Sequence, residues 1–142
     1  MTKEEWKKVE DWWGTGPGWV RMDIDGHTVS LYNQINKDKM IVVVLVYVDG
    51  YLRSTYSKTD NEIGNRFYQR VKKAIYSPKE MKDRARAFGK RNELAQQRYY
   101  EYNECRWRSF KAFKKHIIGH NKEIGLVSCG WGENEEGDAK DS

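Results

Sequence analysis

The sequence predicts an α+β fold: a four- to five-stranded antiparallel sheet packed against three to four helices in a single domain. Three observations carry this. Alternating and β-branched stretches are concentrated in residues 19–56. Helix-capping signals followed by apolar residues at helical spacing stand before that region and again after it. The length, 142 residues, is that of one ordinary domain, large enough to bury a core without disulfides or metal.

The elements follow in order. Thr2 as N-cap and Glu5 three residues on form a capping box that opens a helix over 2–12, with Trp6, Val9 and Trp13 at helical spacing. The run Gly14 to Gly18 ends it. A glycine-rich phosphate loop should follow a strand and open a helix, and this run does the reverse, so it reads as a connector. Trp19–Asp23 and Thr28–Asn33 alternate around Asp25-Gly26, a hairpin turn. Met40–Val48 is almost wholly aliphatic, the pattern of a central strand covered on both faces. Asp49-Gly50 then predicts a second hairpin, with Tyr51–Tyr56 returning as a fourth, edge strand.

The second half reads as helical. Thr59 and Glu62 frame a capping box, and Ile63, Phe67, Val71 and Ile75 follow every four residues, which predicts a helix over 60–76. Ser77-Pro78-Lys79-Glu80 starts another, taken over 78–103 because no Val, Ile or Thr occurs between Ser77 and Cys105. Its stripe of Ala85, Phe88, Ala95, Tyr99 and Tyr102 is interrupted by Gly89, and Tyr99–Trp107 also fits a strand. Ser109 caps a helix over 109–118 with Phe110, Phe113 and Ile117 inward, stopped by Gly119. Glu123–Ser128 is a final strand. The domain is thus expected over 1–130, with a basic helical segment at 59–119 and an acidic disordered tail at 131–142.

Composition bounds the function. A hydrophobic share of 38% against 33% charged residues places the chain with folded rather than disordered proteins. Two cysteines are too few for a secreted disulfide framework, the N-terminus lacks a signal-peptide core, and the longest apolar run is too short to span a bilayer. A cytoplasmic protein without membrane or cofactor is expected, and homodimerisation stays open.

Net charge is +5, and its distribution says more. Residues 66–115 hold 16 Lys/Arg against five Asp/Glu, a balance of +11, whereas Glu133–Ser142 carries −4. Ten of the nineteen aromatics lie in the same basic segment, so cations able to neutralise phosphates alternate with rings able to stack on bases. The candidate contact set is Arg66, Arg70, Lys73, Lys79, Lys82, Arg86, Lys90, Arg91, Arg98, Tyr99, Tyr100, Arg106, Trp107, Arg108, Lys111, Lys114 and Lys115. The competing reading is a solvated helix face with inward aromatics, and Phe67, Phe88, Phe110 and Phe113 belong to it by spacing. The acidic tail is either a solubilising terminus or a competitor for the basic face.

Enzymatic readings are weaker. His116 and His120, four apart, together with Cys105 and Cys129 could make a zinc set, but Gly119 falls between the histidines and no CxxC is present; a solvent-facing pair is the simpler reading. Asp23 and Asp25, with Asp49, Asp60 or Glu62, could hold Mg²⁺ in a small nuclease, yet Asp25 and Asp49 are explained by their Asp-Gly turns. Cys105 has Arg106 beside it but no identifiable His–Asp/Asn set, so it reads as an ordinary thiol. A non-enzymatic binding protein is expected. Its alternatives are a protein-only module for an acidic partner and the small Mg²⁺-dependent nuclease.

Three stretches, Ser77-Pro78-Lys79-Glu80, Gly89-Lys90-Arg91 and Trp107-Arg108-Ser109-Phe110, resemble small phage- and prophage-encoded accessory proteins, among which are anti-CRISPR and other anti-defence inhibitors. The resemblance implies a stoichiometric inhibitor that docks on a nucleic-acid-guided defence effector, its basic face touching guide RNA or the surface meant for target DNA or a regulatory partner. It implies no catalytic residues. DNA mimics within that group are acidic, and this chain is basic outside its tail.

Overall fold

In the computed structural model, which describes residues 1–130, a five-stranded sheet is assembled from three separate stretches of the chain. The elements in chain order are α1 (Lys3–Trp12), β1 (Trp19–Ile24), β2 (His27–Asn36), β3 (Ile41–Val48), α2 (Glu62–Phe67), β4 (Gln69–Ala74), α3 (Pro78–Phe88), β5 (Tyr99–Glu104), β6 (Arg106–Trp107), α4 (Phe110–His120) and β7 (Ile124–Cys129). The strands of the larger sheet run β6-β3-β2-β1-β7, and β4 with β5 makes a separate two-stranded sheet. The fold is α+β, with antiparallel pairing throughout the larger sheet. No described helix is long and apolar enough to cross a membrane.

The chain forms two compact units: Met1–Gln69 with the segment from Asn103 on, and the insert Arg70–Tyr102. In the larger unit the core lies on one sheet face. Val20, Met22 and Ile24 of β1, Val29 and Leu31 of β2, and Val44, Val46 and Val48 of β3 are fully buried at alternate positions, as strand geometry requires. Trp6, Val9 and Trp12 of α1, Phe67 of α2, and Phe113 and Ile117 of α4 join them in one cluster. The Thr2–Glu5 capping box forms, and Ser109 caps α4 through the Ala112 N–H. Both Asp-Gly pairs turn with positive φ at each residue (47° and 85° at Asp25 and Gly26, 52° and 84° at Asp49 and Gly50), the two-residue turn that matches strand twist.

Four expectations need correction. The fourth meander strand does not form: after a single bridge between Val48 and Tyr51 the chain enters a 3-10 turn over Ser54–Ser57. The slot beside β3 is taken instead by β6, with Val44 opposite Trp107 and Leu45 opposite Arg106. The helix expected over 60–76 begins at Glu62, capped by Asn61 rather than Thr59, and stops at Phe67, because residues 69–74 pair with β5. The helix expected over 78–103 stops at Phe88, where Gly89 takes φ 85°, and Tyr99–Glu104 is a strand. Finally, α4 runs through Gly119 to His120. The tail expected at 131–142 lies outside the described residues. The both-face burial expected of the third strand is met in part: Leu45 is buried, whereas Ile41, Val43 and Tyr47 are half-buried.

Two positions are sterically critical. A Cβ at Gly64 would collide with the Tyr56 carbonyl oxygen, so Gly64→Ala should cost about 1–3 kcal/mol in urea unfolding. Trp107, 3% exposed, donates its indole N–H to the Phe67 carbonyl at 3.0 Å and meets the Phe113 ring edge-on at 5.6 Å. Trp107→Phe keeps an aromatic ring but strands that carbonyl, and the expected loss is about 1–3 kcal/mol in the same measurement.

Candidate nucleic-acid interface

The insert Arg70–Tyr102 holds ten Lys/Arg against four Asp/Glu, a net charge of +6. Its order comes from polar contacts. Ser77 and Glu80 form the expected capping box, with Pro78 in the first helical turn. Beyond Gly89, Asn92 caps a 3-10 turn over Glu93–Ala95. Arg84 donates from Nε to the Leu94 carbonyl at 2.6 Å and lies over the Tyr76 and Phe88 rings at 4.3 and 5.6 Å. The Gln97 side chain accepts from the Tyr76 N–H at 3.0 Å and donates to the Tyr76 carbonyl at 2.8 Å.

Little of the insert is buried. Ala95 is its one buried hydrophobic residue among those described, α3 buries none, and Ile75, Phe88, Leu94, Tyr99 and Tyr100 are between 43% and 55% exposed. Phe88 is therefore a surface residue, contrary to its helical spacing: the helix ends at the next residue, so the stripe it belonged to is not continued. Segments of this size cannot enclose much core.

Its nine other cations divide into two groups. Arg70 pairs with Glu101 at 3.6 Å, and Lys72 and Lys73 lie over the Tyr99 and Tyr102 rings at 4.7 and 5.6 Å. Lys79, Lys82, Arg86, Lys90, Arg91 and Arg98 are exposed and form no ion pair among the described residues. Lys79, Lys82 and Arg86 keep helical spacing on α3, whereas Lys90, Arg91 and Arg98 lie beyond the helix end. Tyr100 and Tyr102 stack at 6.0 Å, and Tyr99 and Tyr100 are half exposed. The insert thus joins cations to accessible rings, the combination that neutralises phosphates and stacks on bases.

The rest of the candidate set belongs to the larger unit and is more heterogeneous. Arg66 is half-buried, held by Glu62 at 3.1 Å and Asp25 at 3.9 Å. Arg106 pairs with Glu104 at 2.9 Å, and Lys114 lies over the Trp6 ring at 5.5 Å. Arg108, Lys111 and Lys115 are exposed. Trp107 is a core residue, closed to a partner; the Arg-Trp-Arg sequence around it reflects strand alternation, which sends the indole inward and the guanidinium of Arg106 outward.

Asp25, Asp49, His116 and Cys105, considered for chemistry, are each structurally engaged. The Asp25 carboxylate accepts from the Lys122 and Glu123 N–H groups at 2.9 and 2.8 Å, bonds that with Arg66 hold it below the usual carboxylate range. Asp49 accepts from the Thr28 N–H at 2.9 Å, and the His27 ring nitrogen Nδ1 lies 2.9 Å from its other oxygen. Partial burial pushes that carboxyl up, but the two bonds outweigh it and the net shift is downward. His116 is half-buried rather than solvent-facing: its Nε2 donates to the Asn65 carbonyl at 2.9 Å, and His120 stacks on it at 3.9 Å. Burial raises the Cys105 thiol above its ordinary value despite Arg106, the opposite of nucleophile activation. Among the described residues no three His, Cys, Asp or Glu side chains converge as metal ligands.

One cluster escaped the sequence reading. Trp19, Tyr32 and Tyr47 lie together on the sheet face opposite the core, the Trp19 ring 4.8 Å from Tyr32 and 5.2 Å from Tyr47. The signal was the period-two pattern of Trp19-Val20-Arg21-Met22, which puts the indole and guanidinium on one face and the aliphatics on the other. Compared with known proteins, the chain matches no family model, no curated protein and no solved structure.

The Asp25 geometry generates a pH prediction. A carboxyl held below its unfolded value stabilises the fold above about pH 4, and that contribution is lost as the pH falls through the lower folded value. Asp25→Asn, tolerated at positive φ, should lower the melting temperature at neutral pH, with the gap to wild type closing in a melt series taken below about pH 4.

Proposed function

We propose that this chain is a non-enzymatic binding protein that engages nucleic acid, free or within a nucleoprotein complex, through the cation-rich insert Arg70–Tyr102. The observation that carries this reading is that the insert exposes both its charge and its apolar side chains: Lys79, Lys82, Arg86, Lys90, Arg91 and Arg98 are exposed, and so are Tyr99, Tyr100, Ile75, Phe88 and Leu94. Apolar surface left open among cations is what a phosphate-bearing partner with stackable bases covers. Engagement of the Asp25 and Asp49 carboxylates in backbone bonds supports binding over hydrolysis. The resemblance to phage-encoded accessory proteins supports the most specific form, an anti-defence inhibitor whose basic insert occupies the nucleic-acid surface of a guided effector.

The test is fluorescence anisotropy of the full chain with labelled duplex DNA, single-stranded DNA and RNA across about 50–300 mM salt. Binding should weaken steeply with salt. Lys82→Glu, Arg86→Glu and Lys90→Glu combined should reduce the slope of log Kd against log salt by about 0.7–0.9 for each phosphate no longer neutralised. The melting temperature should be retained, because none of the three side chains is buried. Absence of salt-dependent binding to all three probes would overturn direct nucleic-acid recognition and leave an acidic protein surface as the partner.

A further inference from the structure

The outer face of the five-stranded sheet is a second surface, wholly within the larger unit. Register places Trp19, Tyr32, Leu45 and Arg106 in one row across four strands, β1-β2-β3-β6, a span of about 15 Å. The next row sets Arg21, Ser30 and Tyr47 side by side. The three described helices of this unit contribute Trp6, Val9, Trp12, Phe67, Phe113 and Ile117 to the core on the other face. Trp19, Tyr32 and Tyr47 form a contiguous ridge, with Tyr32 41% exposed and the other two half-buried.

Each side of the ridge is concave. Towards the Asp49-Gly50 turn lies a hollow of about 580 Å³ lined by Trp19, Tyr47, Arg21, Thr28, Ser30 and Asp49. Towards the β2–β3 turn lies one of about 590 Å³ that includes Lys37, Lys39, Arg106 and Arg108. The second holds four cations and no carboxylate among its lining residues, although Glu104 pairs with Arg106 at 2.9 Å. The first offers the Thr28, Ser30 and Tyr47 hydroxyl groups, which can donate to or accept from a base edge. Aromatic rings, hydrogen-bonding groups at one end and cations at the other match an unpaired nucleotide strand: base faces, base edges and phosphates in turn. A duplex keeps its base faces stacked internally and presents none to such a ridge.

From this arrangement we infer that the outer sheet face binds single-stranded nucleic acid, with bases stacked on Trp19 and Tyr32 and the backbone running towards Lys37, Lys39, Arg106 and Arg108. The inference rests on the nucleic-acid reading of the chain and adds the strandedness of the ligand and a second contact surface. Unpaired bases and phosphates are common to RNA and single-stranded DNA. Oligo(U) and oligo(dU) of about ten nucleotides therefore serve as the two probes, and a preference for one shows whether the ribose hydroxyl contributes.

The experiment measures anisotropy with both oligomers and a duplex of equal length, using the full chain at about 0.3 M salt, where phosphate contacts are weakened. Tyr32→Ala should bind single strands roughly tenfold more weakly and leave residual duplex binding unchanged. Trp19→Phe keeps a stacking ring, so it should retain most affinity while losing the part of the tryptophan quenching that accompanies oligomer binding. Thermal melts of both variants, with cooperative transitions near wild type, separate weakened binding from a damaged fold. Wild-type affinity in Tyr32→Ala, with quenching unchanged in Trp19→Phe, would overturn the sheet-face site. If the Lys82, Arg86 and Lys90 reversals still weaken low-salt binding and flatten its salt dependence in that case, the insert remains the nucleic-acid contact. No binding of any probe at any salt would overturn both.

Discussion

The interaction on which the larger unit depends is the burial of Trp107. A two-residue strand has little hold on a sheet through its backbone alone, and β6 keeps its place because its indole is fixed from three sides. The N–H reaches the Phe67 carbonyl at the end of α2, and the ring meets Phe113 and His116 of α4 at 5.6 and 5.3 Å. One side chain thus ties the edge of β3 to two helices that are more than forty residues apart in the chain. Nearby, Asn103 is 2% exposed and donates to the Tyr56 and Lys58 carbonyls and to the Asn65 side chain. A buried amide with several satisfied bonds is costly to displace, so the chain re-enters this unit at a fixed point.

That arrangement relieves the insert of any share in the main core. The larger unit closes its apolar face with α1, α2, α4 and Trp107. The segment from Arg70 to Tyr102 is left to order itself with caps, a Gln97–Tyr76 clasp and arginine–aromatic contacts. Polar scaffolding of this kind leaves charge and apolar surface outward together, a combination a solvated helix face has no need of. Net charge alone would fit solubility; the exposed Phe88, Leu94, Tyr99 and Tyr100 among the cations are what favour a partner.

What could be read in the sequence was local. The Thr2, Ser77 and Ser109 caps, both Asp-Gly turns, β1 to β3 and the last strand all stand close to where composition and spacing put them, because a cap or a two-residue turn is decided by neighbours in the chain. The misreadings share one cause, strand pairing between distant segments. Residues 69–74, Gln-Arg-Val-Lys-Lys-Ala, have weak strand propensity and extend because Tyr99–Glu104 is there to pair with them. Tyr51–Tyr56 has better propensity and is not a strand, because β6 occupies the edge it needed. Trp107 looked like a ring among arginines for the same reason: its inward direction follows from pairing with Val44, a partner sixty-three residues earlier. At the site level, the accessible cations of the insert were legible from composition, whereas the Trp19–Tyr32–Tyr47 ridge was not, since it exists only once three strands are in register.

The two proposed surfaces differ in the physics each would use, and this bears on what the protein can discriminate. Exposed lysines and arginines in the insert would act through phosphate neutralisation, which is nearly blind to sequence and strandedness and fades with salt. Rings on the sheet would act through stacking, which requires bases already unpaired and depends much less on ionic strength. A chain with only the first would hold any polyanion, including duplex; a chain with only the second would encounter single strands slowly, without long-range attraction to steer them. Combined, the electrostatic contact would supply capture and the aromatic ridge would supply selection. On the proposed reading, the exposed charge of Arg70–Tyr102 governs how readily a nucleic acid or nucleoprotein is met, and the outer face of the sheet governs which form of it is kept.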